Sequence, residues 1–280
     1  MKNILLPTDF SGNSLHAIDH ALQLFADETC TFYLLNTYTP VIYNMDYMQT
    51  RAAQFDLMET VKLASVERLT ELVLKLKAKF NNDNHTLETI SSFSTLTQEI
   101  KNVVDKKNID YVVMGTQGAT GAKEVLFGSN AVHVFKNATC PVLAIPKSAV
   151  FSKPEYVLFP TDFGIDYQDK NLMPFLNIVN KNSARVHVLH VSFGDDLTEK
   201  QIANRATLKN YLRTIKHDFY DLRNEGVSLA IVDFQKNYPV DMLVMINNKH
   251  SFFENLFFKS RIDQIGFHID IPFLVIPSCQ

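Results

Sequence analysis

Along the first half of the chain, short runs of apolar and β-branched residues alternate with longer stretches whose apolar positions recur every three or four residues. The short runs fall at 2–7, 31–38, 86–92, 109–115 and 141–146, and the helical stretches at about 11–26, 52–80, 95–107 and 128–138. "YVVM" and "PVLAI" are apolar at every position, as expected of strands buried on both faces of a parallel sheet. Strict β-α alternation with such strands predicts an α/β fold with helices on both faces.

The same order returns in the second half. "NILLPTDFSG" from residue 3 is matched by "YVLFPTDFGI" from 156, "IDYVVMGTQG" from 109 by "VDMLVMINNK" from 240, and "CPVLAIP" from 140 by "IPFLVIP" from 271. The chain reads as one fold unit written twice, with domains at 1–147 and 154–280 and a linker within 147–155. A length of 280 residues suffices for two such cores. The second copy is shorter. Its segment "VSLAIVDF" at 227–234 reads as a strand, and "QKNYP" is too short to carry a crossover helix to the next strand at 240–245. The expectation is a second copy that lacks one helix.

Composition narrows the classes of function. With 46% hydrophobic and 20% charged residues the chain forms a packed fold, and a net charge of -3 without a Lys/Arg cluster argues against nucleic acid as a partner. No run approaches a membrane span or a signal-peptide core, so a cytoplasmic protein with no membrane partner is expected. Cys30, Cys140 and Cys279 show no C-x-x-C spacing, which indicates neither a disulfide framework nor zinc. His16 and His20 in "HAIDH" share a helix face but have no recognisable third ligand, and read as a partly buried helix face. His187 and His190 are three apart on a strand and point to opposite faces, so no metal is predicted.

Candidate chemistry gathers at strand ends, where open parallel sheets bind ligands. The first strand ends in Pro7-Thr8-Asp9 and the strand at 109–115 in Met114-Gly115. Gly115 and Gly118 allow close backbone approach or positive φ. Gly128-Ser129 precedes a helical stretch, with Ser129 in the N-cap position, and a helix N-terminus suits a phosphate. A glycine ending a strand and a serine capping a helix also occur without any ligand, and neither a Walker nor a G-x-G-x-x-G pattern is present. In the second copy Ile246, Lys249 and Lys259 replace the glycines. That contrast suggests that the glycines at 115, 118 and 128 serve a ligand more than the fold.

Taken together, "ILLPTDFS", "MGTQG" and the later "GS" resemble the universal stress protein family, whose signature G-x2-G-x9-G-[ST] is met by Gly115, Gly118, Gly128 and Ser129. The resemblance implies two tandem open parallel five-stranded sheets, each ordered 3-2-1-4-5 with helices on both faces, in an adenine nucleotide alpha hydrolase-like fold. It implies ATP, with or without Mg²⁺, in the first copy. Asp9 would then contact the adenine or ribose end beside Pro7 and Thr8, and Thr37 would offer backbone contacts to the base. Met114 and Gly115 would line the ribose, while Gly118, Gly128, Ser129 and Asn130 would hold the phosphates. Gln117 stands where a histidine is frequent.

The second copy keeps Pro160, Thr161, Asp162 and Ser260 but is expected to have no ATP site. The implied function is a stress-response signalling module that binds ATP and an unknown protein partner. The second domain would act as an intramolecular pseudo-dimer partner, pairing 272–277 with the edge strand 141–146, and a further homodimer is an option. No general base is positioned for water, so efficient turnover is not expected. A weak ATP hydrolase and a structural or chaperone-like protein without nucleotide are the alternatives. The Tyr/Met-rich stretch 38–58 reads equally as a lid, a partner surface or a packed loop.

Overall fold

A computed structural model describes residues 1–39, 51–116, 128–192, 196–223, 226–247 and 270–278, with the backbone alone at 51–57 and 223. In the first half the elements are β1 (Lys2–Pro7), α1 (Gly12–Leu24), β2 (Cys30–Tyr38), α2 (Arg51–Phe80), β3 (His85–Phe93), α3 (Leu96–Lys107), β4 (Tyr111–Gly115), α4 (Ser129–Asn137) and β5 (Val142–Ile145). In the second half they are β6 (Tyr156–Pro160), α5 (Asp169–Asn182), β7 (Arg185–Ser192), α6 (Glu199–Tyr211), β8 (His217–Arg223), α7 (Val227–Asn237), β9 (Met242–Asn247) and β10 (Phe273–Pro277).

Local chemistry accounts for the helix ends. Ser11 caps α1 by accepting from the Ser14 N–H at 3.3 Å, and Thr198 and Gln201 form a reciprocal capping box at α6. Asn108 and Ser183 adopt left-handed backbone at φ 48 and 52 to stop α3 and α5. Burial at Ala17, Ile18, Ala21 and Leu22 of α1 follows the helical spacing read from the sequence.

The strands form one sheet of order β3-β2-β1-β4-β5-β10-β9-β6-β7-β8. Each half therefore has the 3-2-1-4-5 order, with β1 flanked by β2 and β4. All pairings within a half are parallel. The two halves join at a single antiparallel seam, where Phe273, Leu274 and Val275 face Ala144, Leu143 and Val142. Both edges at 141–146 and 272–277 are thereby covered. Alternate strand residues feed two apolar layers that run across the seam. One contains Ile4, Leu6, Phe32, Phe159, Phe175 and Leu274, and the other Leu5, Leu35, Val112, Phe135, Leu158 and Phe273.

The second half departs from expectation at 227–234. This segment is helix α7, and the third strand is β8, ten residues earlier in the chain at His217. The buried residues Ser228, Ala230, Ile231 and Phe234 recur at helical spacing, with exposed Leu229 among them. Its apolar density resembles that of a buried strand, so the period was concealed. No helix is missing there. Much of the shortening lies in α6, with 13 residues against 30 in α2.

Candidate functional site

The turn after β1 is built by its own side chains. Thr8 continues the ladder by donating its N–H to Leu35 O at 2.8 Å, and its buried hydroxyl accepts from the Phe10 N–H at 2.9 Å. The Asp9 carboxylate accepts from the Ser11 N–H at 3.0 Å, and Phe10 takes φ 62. Arg68 lies over the Phe10 ring, 4.1 Å from its centroid. The second half repeats the turn: Phe163 N–H donates to Thr161 Oγ1 at 3.0 Å, Gly164 N–H to Asp162 Oδ1 at 2.8 Å, and Phe163 has φ 56. Pro-Thr-Asp-Phe is thus first a device for turning the chain at the sheet rim.

Beside this turn, β4 delivers Met114 and Gly115, and Thr116 N–H bonds to Ile145 O at 3.2 Å. Gly128 N–H then donates to Thr116 O at 2.8 Å, which brings the start of α4 back to the end of β4. Gly128, not Ser129, is the N-cap. Its backbone is extended at φ -60 and ψ 155, its carbonyl accepts from Val132 N–H at 3.1 Å, and among the described residues no side chain caps the helix. The first-turn amides at Ser129, Asn130 and Ala131 therefore receive no side-chain cap from the described residues, and the positive end of the helix dipole faces the strand ends.

A cavity of about 200 Å³ opens between these elements. Among the residues singled out from sequence, Pro7, Thr8, Asp9, Thr37, Met114, Gly115, Gly128, Ser129 and Asn130 line it together. Gln117 and Gly118 lie outside the described residues, as do Lys249, Lys259, Ser260 and residues 40–50 of the Tyr/Met-rich stretch. Ser14, Leu96, Thr116 and Ala131 also line the cavity. The Ser14 hydroxyl lies 3.0 Å from that of Thr8.

Behind the rim runs a polar chain that sequence reasoning missed. Asn36 donates to Thr8 O at 2.7 Å, Ser65 donates to Asn36 Oδ1 at 2.8 Å, and Ser91 donates to Ser65 at 2.8 Å. It ties β1, β2, α2 and β3 directly under the turn. The signal available was one polar residue, Asn36, inside the apolar run "FYLLNT".

The second half fills the corresponding places. Thr161 meets the hydroxyl of Tyr167 at 2.7 Å, a buried ring where the first half has small Ser14. Gln201 donates to Asp162 O and Asn204 to Phe163 O. Ile246 is buried at the position of Gly115. This difference has a cause in the fold. A Cβ at Gly115 would stand 3.0 Å from the Asn13 carbonyl oxygen in the first turn of α1. In the second half, α5 begins only at Asp169, farther from its turn than α1 is from its own. Gly115 therefore serves the fold as well as the rim, which qualifies, at this one position, the expectation that the glycines serve a ligand more than the fold.

The histidines take structural places. His16 Nε2 lies 2.8 Å from Ala149 O, and buried His20 stacks edge-on against Phe151 at 5.0 Å, so "HAIDH" docks the linker. Burial, reinforced by His16, pushes His20 down to about 4. Among the described residues no three His, Cys, Asp or Glu side chains cluster to hold a metal, and no helix is long and apolar enough to cross a membrane.

Comparison with known proteins finds a family match in the first half. Residues 1–146 match the model of the universal stress protein family. Universal stress protein MJ0531 of Methanocaldococcus jannaschii is 32% identical over 148 residues, which is 52% of this chain and 82% of its own. Universal stress protein A homolog 1 of Coxiella burnetii is 30% identical over 146 residues, 51% of this chain and 95% of its own. A universal stress protein structure from Archaeoglobus fulgidus covers 98% of both chains with a TM-score of 0.66 at 19% identity.

Proposed function

Because the chain belongs to the universal stress protein family, we propose that its first half, residues 1–147, is an ATP-binding signalling module and its second half, 154–280, a partner domain without a nucleotide site. One observation carries this reading. The uncapped start of α4 and the end of β4 meet across one cavity with the β1 turn, and the residues of the glycine signature that are described, Gly115, Gly128 and Ser129, all line it. The amides of Ser129, Asn130 and Ala131 are placed to hold phosphate oxygens, with Ser129 Oγ and Asn130 as further polar groups. Asp9 and the backbone at Thr37 would serve the base and ribose end. ATP bound here supplies a charged, exchangeable signal, and Mg²⁺ would travel with the nucleotide, because the described residues offer it no carboxylate cluster.

A hydrolase is the second reading, and the chemistry favours it less. Among the described residues Asp9 is the one carboxylate on the cavity wall, it already accepts the Ser11 N–H, and it would lie at the base end of the ligand. The proposed cellular place is cytoplasmic.

The test is the nucleotide content of the purified protein, read by chromatography after denaturation, together with binding of a fluorescent ATP analogue. The expected result is adenine nucleotide in the wild type and none in Gly128→Lys, which installs the residue that the second copy carries at 259. Binding that persists in Gly128→Lys would remove this cavity as the site.

A further inference from the structure

Among the described residues the ten-stranded sheet ends in two strands with one unpaired edge each, β3 and β8, and these edges differ in kind. β8 carries Asp218 and Asp221, paired with Arg185 at 2.6 Å and Arg205 at 2.9 Å. Charges of this sort guard an edge against pairing with another chain. β3, with the sequence "HTLETISSF", has nine residues, one carboxylate at Glu88, and neither proline nor glycine. Thr86, Glu88, Thr89 and Phe93 are exposed along it.

The ladder fixes which backbone groups are offered. Cys30 N–H donates to Asn84 O at 3.0 Å, and the register runs from Cys30↔His85 to Tyr38↔Phe93. In a parallel pair this alternation turns the even-numbered residues of β3 toward β2 and sends the N–H and C=O groups of Leu87, Thr89 and Ser91 outward. A row of outward main-chain groups is matched by an extended strand.

We propose that the β3 edge binds a second copy of this chain, strand β3 against strand β3, antiparallel about Thr89. In that register Leu87, Thr89 and Ser91 exchange main-chain hydrogen bonds with Ser91, Thr89 and Leu87 of the other copy. Glu88 stands opposite Ile90, so the two carboxylates do not oppose each other. Antiparallel edge pairing is also how this chain joins its own two halves, at Val142–Ala144 against Phe273–Val275. The same operation at β3 gives a closed two-fold dimer. This proposal is independent of the nucleotide site.

The test is the mass of the full-length protein by sedimentation equilibrium over a range of concentrations, for the wild type and two edge variants. Thr89→Pro removes an outward N–H and leaves the bonds to β2 in place. Thr89→Lys puts a charge at the two-fold axis and decides the matter if proline compromises folding. A dimeric wild type whose variants are folded monomers is the expected result. A monomeric wild type, or a dimer that both variants leave intact, overturns the proposal. A dimer that dissociates only when β5 is altered would place the contact elsewhere and also overturn it.

Discussion

Gly115 is held to its identity by the backbone of its neighbour. A methyl group there meets the Asn13 carbonyl at 3.0 Å, so Gly115→Ala should lower stability by about 1–2 kcal/mol, read by urea unfolding. Ile246 at the matching position packs in the core, and Ile246→Ala should cost about 2–4 kcal/mol through the cavity it leaves. His20 sets an acid limit. Its folded pKa is about 4 against 6.5 for a free imidazole, so the unfolded chain takes up a proton first as pH falls. The contribution is intact above pH 6.5 and is lost on the way down to about pH 4, the loss amounting to roughly 3 kcal/mol. His20→Phe, which keeps an aromatic ring against Phe151, should flatten the pH dependence of Tm across that window. An unchanged profile would show that His20 is not the group responsible. His187 adds in the same direction, since burial lowers its pKa too, and both its ring nitrogens are buried without hydrogen-bond partners among Tyr156, Tyr220 and Phe234.

At the scale of elements, the chain Ser91–Ser65–Asn36 explains how long-range contacts hold the rim. Ser65→Ala leaves the Asn36 carbonyl oxygen without its donor and should cost about 1–3 kcal/mol, with weaker nucleotide binding as the Thr8 backbone loosens. Val66→Ala, on the exposed face of α2, is the control expected to change neither. The strands β1, β2, β4, β5 and β9 were legible from apolar runs alone, and the repeat made the order of both halves legible with them. Helix α7 was not, because "VSLAIVDF" is dense enough in apolar residues to hide a helical period behind a strand-like run. The site was legible where glycine spacing and the Pro-Thr-Asp turn marked it. The N-cap lies one residue before the position that the sequence favours, because Ser129 is the better capping side chain whereas the extended residue is Gly128. Ser65 and Ser91 lie 29 and 55 residues from Asn36, on elements that only the register brings together, so no local pattern could have joined them.

For the molecule as a whole, the second half acts as a fixed cover for the first. The antiparallel seam is reinforced by Lys181, which donates to Leu24 O at 2.8 Å and to Glu28 at 2.9 Å, and by Tyr111 donating to Pro174 O at 2.8 Å. Burial alone would raise the Glu28 pKa, but Lys2 and Lys181 hold it below the ordinary carboxylate range. Ser148 bonds Asp270 and His16 bonds Ala149, so the linker is fastened to both halves. Residues 1–147 expressed alone should expose the β5 edge and self-associate or precipitate, as light scattering would report. One nucleotide site per chain, in the first half, is what the proposed function requires. Titration calorimetry with Mg-ATP tests it most directly. The expected result is one ATP per chain, abolished by Gly128→Lys and retained in Tyr167→Phe. A stoichiometry of two, the absence of binding by the wild type, or binding that Tyr167→Phe removes and Gly128→Lys leaves untouched would contradict it.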